Sequence, residues 1–80
     1  MMDARRTSVR IVGNVRNAEI AWSEDLTLAQ AVAEADYQGA GTPHEILIIR
    51  QRERFVVDPN TLLNGRDWPL EPGDTVEIHP

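Results

Sequence analysis

The residues best suited to chemistry lie in the segment PLEPGDTVEIHP, which places three carboxylates and an imidazole close together. The side chains concerned are Glu71, Asp74, Glu77 and His79. Oxygen and nitrogen donors at this density are typical of a divalent-cation site, and paired carboxylates are a common device for general acid–base catalysis. Two interpretations compete. The segment is either a catalytic or metal site, or a turn that begins the last strand of a sheet.

The conformational needs of a turn account for this segment without any chemistry. In Glu71-Pro72-Gly73-Asp74, proline presets φ at the second position of a type II turn, and Gly73 supplies the positive φ at the third. Asp74 is placed to accept backbone N–H groups and to hold the turn closed. Glu77 alternates with apolar neighbours along the following strand, so it should face solvent. We therefore predict a structural turn motif, made of Leu70, Pro72, Gly73 and Asp74, and no catalytic residue or metal site.

The remaining polar motifs do not indicate a catalytic, metal-binding or phosphate-binding site either. His44 and His79 lie far apart in the sequence and have no cysteine or HxxxH partner, so they do not indicate a metal site. The glycines in Gly39-Ala40-Gly41 lack the lysine and helix start that follow them in a phosphate-binding loop. We expect no cofactor and no enzymatic activity.

Composition narrows the classes of function further. Eighty residues suffice for one domain, and the chain has no cysteine, which excludes disulfides, cysteine-ligated zinc and iron–sulfur clusters. The net charge of −5 argues against nucleic-acid binding. No apolar run approaches the roughly 20 residues of a membrane span, so membrane insertion is not expected. The opening MMDARRTS has no hydrophobic stretch behind its arginines, which predicts a cytoplasmic protein as the chain stands.

Hydrophobic periodicity predicts five strands and one helix. The stretch LTLAQAVAEAD carries an apolar stripe at i, i+3, i+4 and i+7, with a Thr27-x-x-Gln30 capping box at its start. Gln38–Pro43 is expected to end this helix, and a short helical turn is expected over Pro59–Gly65. Strands are predicted at Ser8–Gly13, Ala18–Ser23, Glu45–Arg50, Arg54–Asp58 and Thr75–His79. Residues 1–7 are expected to form a flexible tail and residues 8–80 a single domain.

The order of these elements predicts an α+β fold of the β-grasp kind, also called ubiquitin-like. A hairpin, a crossing helix and a later group of strands make a mixed sheet of about five strands with one helix across one face. This architecture also carries sulfur carriers and ubiquitin-like modifiers, which need a flexible Gly-Gly tail with an activated carboxylate. The chain reads Ile78-His79-Pro80 at that place, so this alternative is disfavoured.

Several motifs resemble the soluble-ligand-binding β-grasp (SLBB) domains of bacterial polysaccharide export proteins. The first strand leads into Gly13-Asn14-Val15, the helix begins Thr27-Leu28-Ala29-Gln30-Ala31, and the apolar strand Ile46–Arg50 ends in arginine. The closing Leu-x-Pro-Gly-Asp-x-Val-x-Ile motif spans Leu70–Ile78. The resemblance covers about residues 9–78. It implies a non-enzymatic module that binds a ligand or packs against other proteins, and a periplasmic or envelope location if the module belongs to a longer export protein.

The strand EILIIR carries the sequence signal for a binding surface. Ile46 and Ile48 point to one face of the sheet, whereas Leu47 and Ile49 point to the other, so both faces are apolar. One helix covers only one face. The second face is covered either by a partner or by Leu62 and Leu63 of the chain's own helical turn, and the sequence leaves both alternatives open.

The predicted interaction surface therefore combines this strand with two exposed aromatic residues. Aromatic faces also stack on the apolar side of sugar rings. The candidate residues are Tyr37, Leu47, Ile49 and Trp68. The partners expected are other protein domains or a second copy of the chain, with a glycan as the ligand class that the resemblance adds.

Overall fold

The computed structural model describes residues 8–80, apart from the side chain of Leu63. The predicted order of elements is confirmed, and the predicted tail, residues 1–7, lies outside the described residues. The five strands are β1 (Ser8–Val12), β2 (Glu19–Ala21), β3 (Glu45–Arg50), β4 (Glu53–Val57) and β5 (Thr75–His79). The two helices are α1 (Leu28–Ala35) and the short α2 (Pro59–Leu63).

The strands form one mixed sheet in the order β2-β1-β5-β3-β4. The central pair, β1 and β5, is parallel, whereas the β1–β2, β3–β4 and β3–β5 pairs are antiparallel. The fold is therefore α+β, with two antiparallel hairpins joined through the last strand of the sequence. That strand is paired on both sides, so the acidic segment does begin a strand of the sheet.

The core lies between α1 and one face of the sheet. Strand residues at alternate positions supply its floor, and α1 supplies Leu28, Ala31 and Ala35, which are fully buried. Two alanines let the helix approach the sheet closely, so a compact core forms with few large side chains. The sheet residues in this core are Val9, Ile11, Ile20, Ile46, Ile48, Val57, Val76 and Ile78.

The start of α1 is held by side chains from two parts of the chain. Thr27 is the N-cap and accepts a hydrogen bond from the Gln30 N–H at 3.4 Å. The Asp67 carboxylate accepts hydrogen bonds from the backbone N–H groups of Ala29 (3.0 Å) and Trp68 (2.8 Å). Local capping was predictable from the sequence, whereas the contribution of Asp67 comes from a loop 38 residues away.

The end of α1 differs from the prediction that a glycine segment terminates the helix. Asp36 caps it in the left-handed conformation, with φ of 59°. The last helical carbonyls accept hydrogen bonds from the β1–β2 connection. Arg16 and Asn17 donate to the Ala35 carbonyl at 3.0 and 2.9 Å. Aspartate adopts this conformation more readily than most residues, and the tertiary hydrogen bonds select it before the glycines are reached.

Replacing Asp67 with alanine is expected to lower the free energy of unfolding by about 1 kcal/mol at neutral pH. Burial raises the pKa of Asp67, but hydrogen bonds from the Ala29 N–H, the Thr27 side chain and the Trp68 N–H lower it by more, so the net pKa lies below its ordinary value. The folded-state pKa is therefore below the unfolded one. The stabilisation by the Asp67 carboxylate is complete above the pKa that Asp67 has in the unfolded chain, and it is lost as pH falls through the pKa that Asp67 has in the folded protein.

Urea unfolding of wild type and Asp67→Ala at pH 7 and pH 3 checks this prediction. The difference between the two proteins should shrink at the acidic pH. Glu34→Ala, an exposed change on α1, serves as the control whose effect should not depend on pH in this way. If the free energy of unfolding of wild type exceeded that of Asp67→Ala by the same amount at both pH values, the assigned role of Asp67 would be contradicted.

Candidate functional site

The turn before β5 has the predicted type II features. The Asp74 N–H donates to the Glu71 carbonyl at 3.1 Å, and Gly73 has φ of 86°. The Asp74 carboxylate accepts a hydrogen bond from the Glu71 N–H at 2.9 Å, so the side chain as well as the backbone of Asp74 closes the turn. The side chain of Leu70 is buried in the core. These contacts are consistent with the structural role predicted for Leu70, Pro72, Gly73 and Asp74.

Asp74 has a second partner that the sequence did not reveal. Its side chain is only 2% exposed and receives three hydrogen bonds from Arg50. The two shortest run from Nε to Oδ1 at 3.1 Å and from Nη2 to Oδ2 at 2.8 Å. This is the parallel, two-bond geometry that guanidinium and carboxylate groups favour. A buried carboxylate without such a partner is costly, so Arg50 makes the turn compatible with the core.

Arg50 also joins the turn to neighbouring segments. Its Nη1 lies 3.2 Å from Glu71 Oε2, and its Nη2 donates to the Pro69 carbonyl at 3.3 Å. The guanidinium carbon is 5.9 Å from the centre of the Phe55 ring, which is itself 6.0 Å from the ring of Trp68. The hydrogen bond to Asp74 raises the pKa of Arg50; burial opposes this shift, and the charges of the neighbouring carboxylates reinforce it. This group therefore links β3, β4 and the turn.

The acidic residues of the C-terminal segment do not converge. Glu71 and Asp74 turn toward Arg50, whereas Glu77 lies 3.2 Å from the ring nitrogen of His79 on β5. Among residues 8–80, no three histidine, cysteine or carboxylate side chains are grouped closely enough to hold a metal ion. The geometry of the segment is that of a turn and a strand.

Within residues 8–80, neither helix covers the face of the sheet opposite α1. The strand register places one row of side chains across this face and a second row beside it. The first row runs Val12, Glu77, Leu47, Val56, and the second runs Arg10, Thr75, Ile49, Arg54. Val56 is 64% exposed and Val12 46% exposed, and these are the two large apolar residues that the described part of the chain exposes most. These eight residues are called the open face below.

The helix α2 does not cover the open face. Leu62 packs against the core on the α1 side and lines an apolar groove of about 250 Å³ together with Val32 of α1 and Ile46 of β3. The alternative in which Leu62 closes the second face is therefore wrong. The short connection from β4 through Pro59 directs α2 toward α1. The side chain of Leu63, named in the same alternative, lies outside the described residues.

The structure separates the four predicted surface residues into two groups. Leu47 and Ile49 lie side by side on the open face and are half-buried. Tyr37 and Trp68 lie on the opposite side and pack against the core. The four residues therefore do not form one surface, and only the β3 pair belongs to the open face.

Tyr37 is held by the connection after α1. The phenol approaches Gly39 so closely that a Cβ at that glycine would overlap the ring. Its hydroxyl oxygen is buried and makes no hydrogen bond within the described residues. Gly39 is thus required by the packing of a neighbouring ring, and the ring contributes to the fold.

Val12 and Val56 were missed as surface residues, although the sequence contains a signal for each. Ile11-Val12 and Val56-Val57 are adjacent apolar pairs inside strands. Adjacent strand residues point to opposite faces, so one member of each pair must leave the core. The exposed member follows from the register, which tertiary pairing determines.

A polar depression of about 520 Å³ adjoins one end of the open face. Its walls come from β1, β2 and the turn before β5, and they combine hydroxyl, guanidinium and carboxylate groups. The lining residues are Ser8, Arg10, Glu19, Gly73, Asp74 and Thr75. Such a surface suits a polar ligand better than an apolar one.

No helix of residues 8–80 has the length and apolar character needed to cross a membrane. Comparison with known protein families finds no family model that matches the chain, and comparison with curated proteins finds no match either.

Proposed function

We propose that the chain is a β-grasp domain of the SLBB type that acts as a non-enzymatic binding module, with the open face as its contact surface. The observation that carries the proposal is the exposure of apolar side chains, from Val12 on β1 to Val56 on the edge strand β4, on a sheet face that neither helix covers. Each Å² of apolar surface left in water costs about 25 cal/mol relative to burial, so a partner that covers the face gains free energy.

The β-grasp assignment is supported by the sheet order and by the position of the helix. Strand β5 lies between the two hairpins and runs parallel to β1, and α1 crosses between the hairpins in sequence. The SLBB assignment is supported by the contact between two of the resembling motifs. The arginine that ends the strand Ile46–Arg50 binds the aspartate of the Pro-Gly-Asp turn.

Chemical-shift mapping tests the proposed surface. The ¹⁵N-labelled protein is titrated with neutral and acidic oligosaccharides and, separately, diluted over a wide range of protein concentration. We expect the amide shifts of Leu47, Ile49 and Val56 to respond in at least one series, whereas those of α1 stay constant. Shifts confined to the groove between α1 and α2, or no shifts in any series, would overturn the proposal.

The polar depression favours a glycan as the second candidate partner. Guanidinium, carboxylate and hydroxyl groups are the groups that hydrogen-bond sugar hydroxyls in proteins. If an oligosaccharide binds there, the amides of Arg10 and Thr75 should shift with the added sugar and not with protein concentration. Arg10→Ala should then weaken the sugar-induced shifts, while Arg16→Ala, which removes an exposed arginine outside the depression, should leave them unchanged.

A further inference from the structure

We infer that the open face binds the open face of a second copy of this chain, in a two-fold symmetric contact stabilised by two Glu77–Arg54 ion pairs. The inference rests on the proposed use of the open face as a contact surface and adds the identity of the partner. It is carried by the arrangement of charge around the apolar centre, which is self-complementary.

The apolar centre consists of Leu47, Ile49 and Val56. Leu47 and Ile49 are neighbours along β3 on the same face, and Val56 lies directly across from Leu47 on β4. All three are at least partly exposed. They form a compact triangle on one side of the sheet, so a partner that covers it must also present a small apolar area.

Opposite charges flank this triangle on a diagonal. Glu77 lies beside Leu47 on β5, and Arg54 lies beside Ile49 on β4. The two are two strands and two residues apart. At about 4.8 Å per strand and about 3.4 Å per residue, their Cα atoms are separated by about 12 Å, and the midpoint falls between Leu47 and Ile49.

A two-fold axis through this midpoint makes the surface complementary to itself. If the axis lies between the two faces and runs perpendicular to the Glu77–Arg54 diagonal, each Glu77 faces the Arg54 of the other copy. The same operation brings the Val56 of each copy close to the Leu47 of the other. An isologous contact needs this reciprocity, in which residue i meets j while j meets i.

The resulting packing has an ordinary geometry for sheets. The strands of the two copies cross at roughly 70°, which is close to the orthogonal class of sheet-on-sheet packing. Glu77 and Arg54 flank the apolar triangle, so apolar contacts lie nearest the two-fold axis and the ion pairs lie beside them. A second copy placed in this way therefore packs at an angle that sheets commonly adopt.

Both charged side chains are accessible to a second molecule. Arg54 is exposed and makes no ion pair with any side chain that the structure describes. Glu77 contacts His79 on its own strand, and its side chain remains 32% exposed. Because Arg54 has no carboxylate partner among the described side chains, a partner surface that brings a carboxylate to it is favoured over one that brings a positive charge.

The size of the face predicts a weak dimer. The open face extends over four strands of about five residues, on the order of 20 by 17 Å, or roughly 350 Å² in projection. Stable dimers bury about 800 Å² per partner, so this contact belongs to the weak, concentration-dependent class. Screening by salt should weaken it further because two ion pairs contribute to it.

Sedimentation equilibrium over a concentration series, up to about 1 mM protein, tests the inference. Wild type should show a reversible monomer–dimer equilibrium. Glu77→Arg and Arg54→Glu, each made alone, should weaken association about tenfold or more, since each sets like charges against one another twice. The double variant exchanges the two charges and should return association to within a few-fold of wild type.

Glu34→Arg is the matched control for Glu77→Arg, because it changes the net charge by the same amount. It lies on α1, away from the open face, and should leave association unchanged. Thermal unfolding of each variant verifies that the monomer is folded. A wild type that stays monomeric throughout, or a double variant that associates as weakly as the single ones, would overturn the inference. If wild type stays monomeric while the open-face amides respond to an oligosaccharide, the proposed contact surface stands and only the second copy is rejected.

Discussion

Replacing Asp74 with alanine is expected to lower the free energy of unfolding by about 3–5 kcal/mol. The carboxylate is almost completely buried and accepts hydrogen bonds from the Arg50 guanidinium and from the Glu71 N–H. Removing it leaves the partly buried Arg50 without its buried partner, with only the exposed Glu71 carboxylate beside it, and opens the turn that begins β5. A domain of 80 residues has a total stability of the order of 4–12 kcal/mol, so this single change removes a large share of it.

Three further variants separate the contributions of Asp74. Asp74→Asn keeps a side-chain acceptor for the Glu71 N–H and removes the charge, so it should cost less than alanine and remain measurable. Arg50→Met together with Asp74→Ala should cost less than the sum of the two single changes, because neither charge is then left alone. Glu71→Ala removes the exposed partner of Arg50 and should cost about 1 kcal/mol or less.

Chemical denaturation with urea measures these differences, with tryptophan fluorescence as the probe. The natural sensor is Trp22, whose indole N–H donates to the Leu70 carbonyl at 2.8 Å beside the turn. A loss below about 1 kcal/mol for Asp74→Ala would contradict the assigned role of the ion pair, since that is the value expected of an exposed pair.

Replacing Ile48 with alanine is expected to cost about 2–5 kcal/mol. Ile48 is completely buried and lies between Val76 of β5 and Phe55 of β4 on the core face. Its removal eliminates apolar burial and leaves a cavity that the sheet cannot close, because the backbone on both sides is held in register by its neighbours. The buried residues of the described part of the chain form a single core cluster, so no second core compensates for the loss.

Val56→Ala provides the matched comparison on the other face of the same hairpin. It removes an aliphatic side chain that is 64% exposed, so it should cost less than about 1 kcal/mol, mostly through β propensity. Urea unfolding of both variants, at a protein concentration low enough to keep the chain monomeric, measures the difference. Equal losses for the two variants would mean that the β3–β4 hairpin does not separate a core face from an open face.

The local conformations were predictable because short-range effects decide them. Proline and glycine restrict or widen the accessible φ values, and this determined the turn before β5 from four residues alone. The apolar stripe of α1 and the alternation in β1, β3 and β5 follow from the periods of the helix and the strand. The fold class then followed from the order of these elements, since few arrangements cover an apolar sheet with one helix.

The partners of long side chains and the uses of each surface were not predictable in this way. Arg50 and Asp74 are 24 residues apart, and no local rule links an arginine at the end of one strand to an aspartate before another. The end of α1 was mispredicted because hydrogen bonds from Arg16 and Asn17 select Asp36 as the cap. In both cases the energy comes from contacts that exist only once the sheet is assembled.

The sequence by itself determined the elements, their order, the turn before β5 and the presence of apolar residues on both faces of β3. Only the tertiary structure decided that α2 packs on the side of α1, that Tyr37 and Trp68 join the core, and that Leu47 and Ile49 share their face with Val56 and Arg54. The reason is that backbone preferences and hydrophobic periodicity act over a few residues. Which face stays open depends on strand register and on where the chain's other segments pack, and these are properties of the folded chain as a whole.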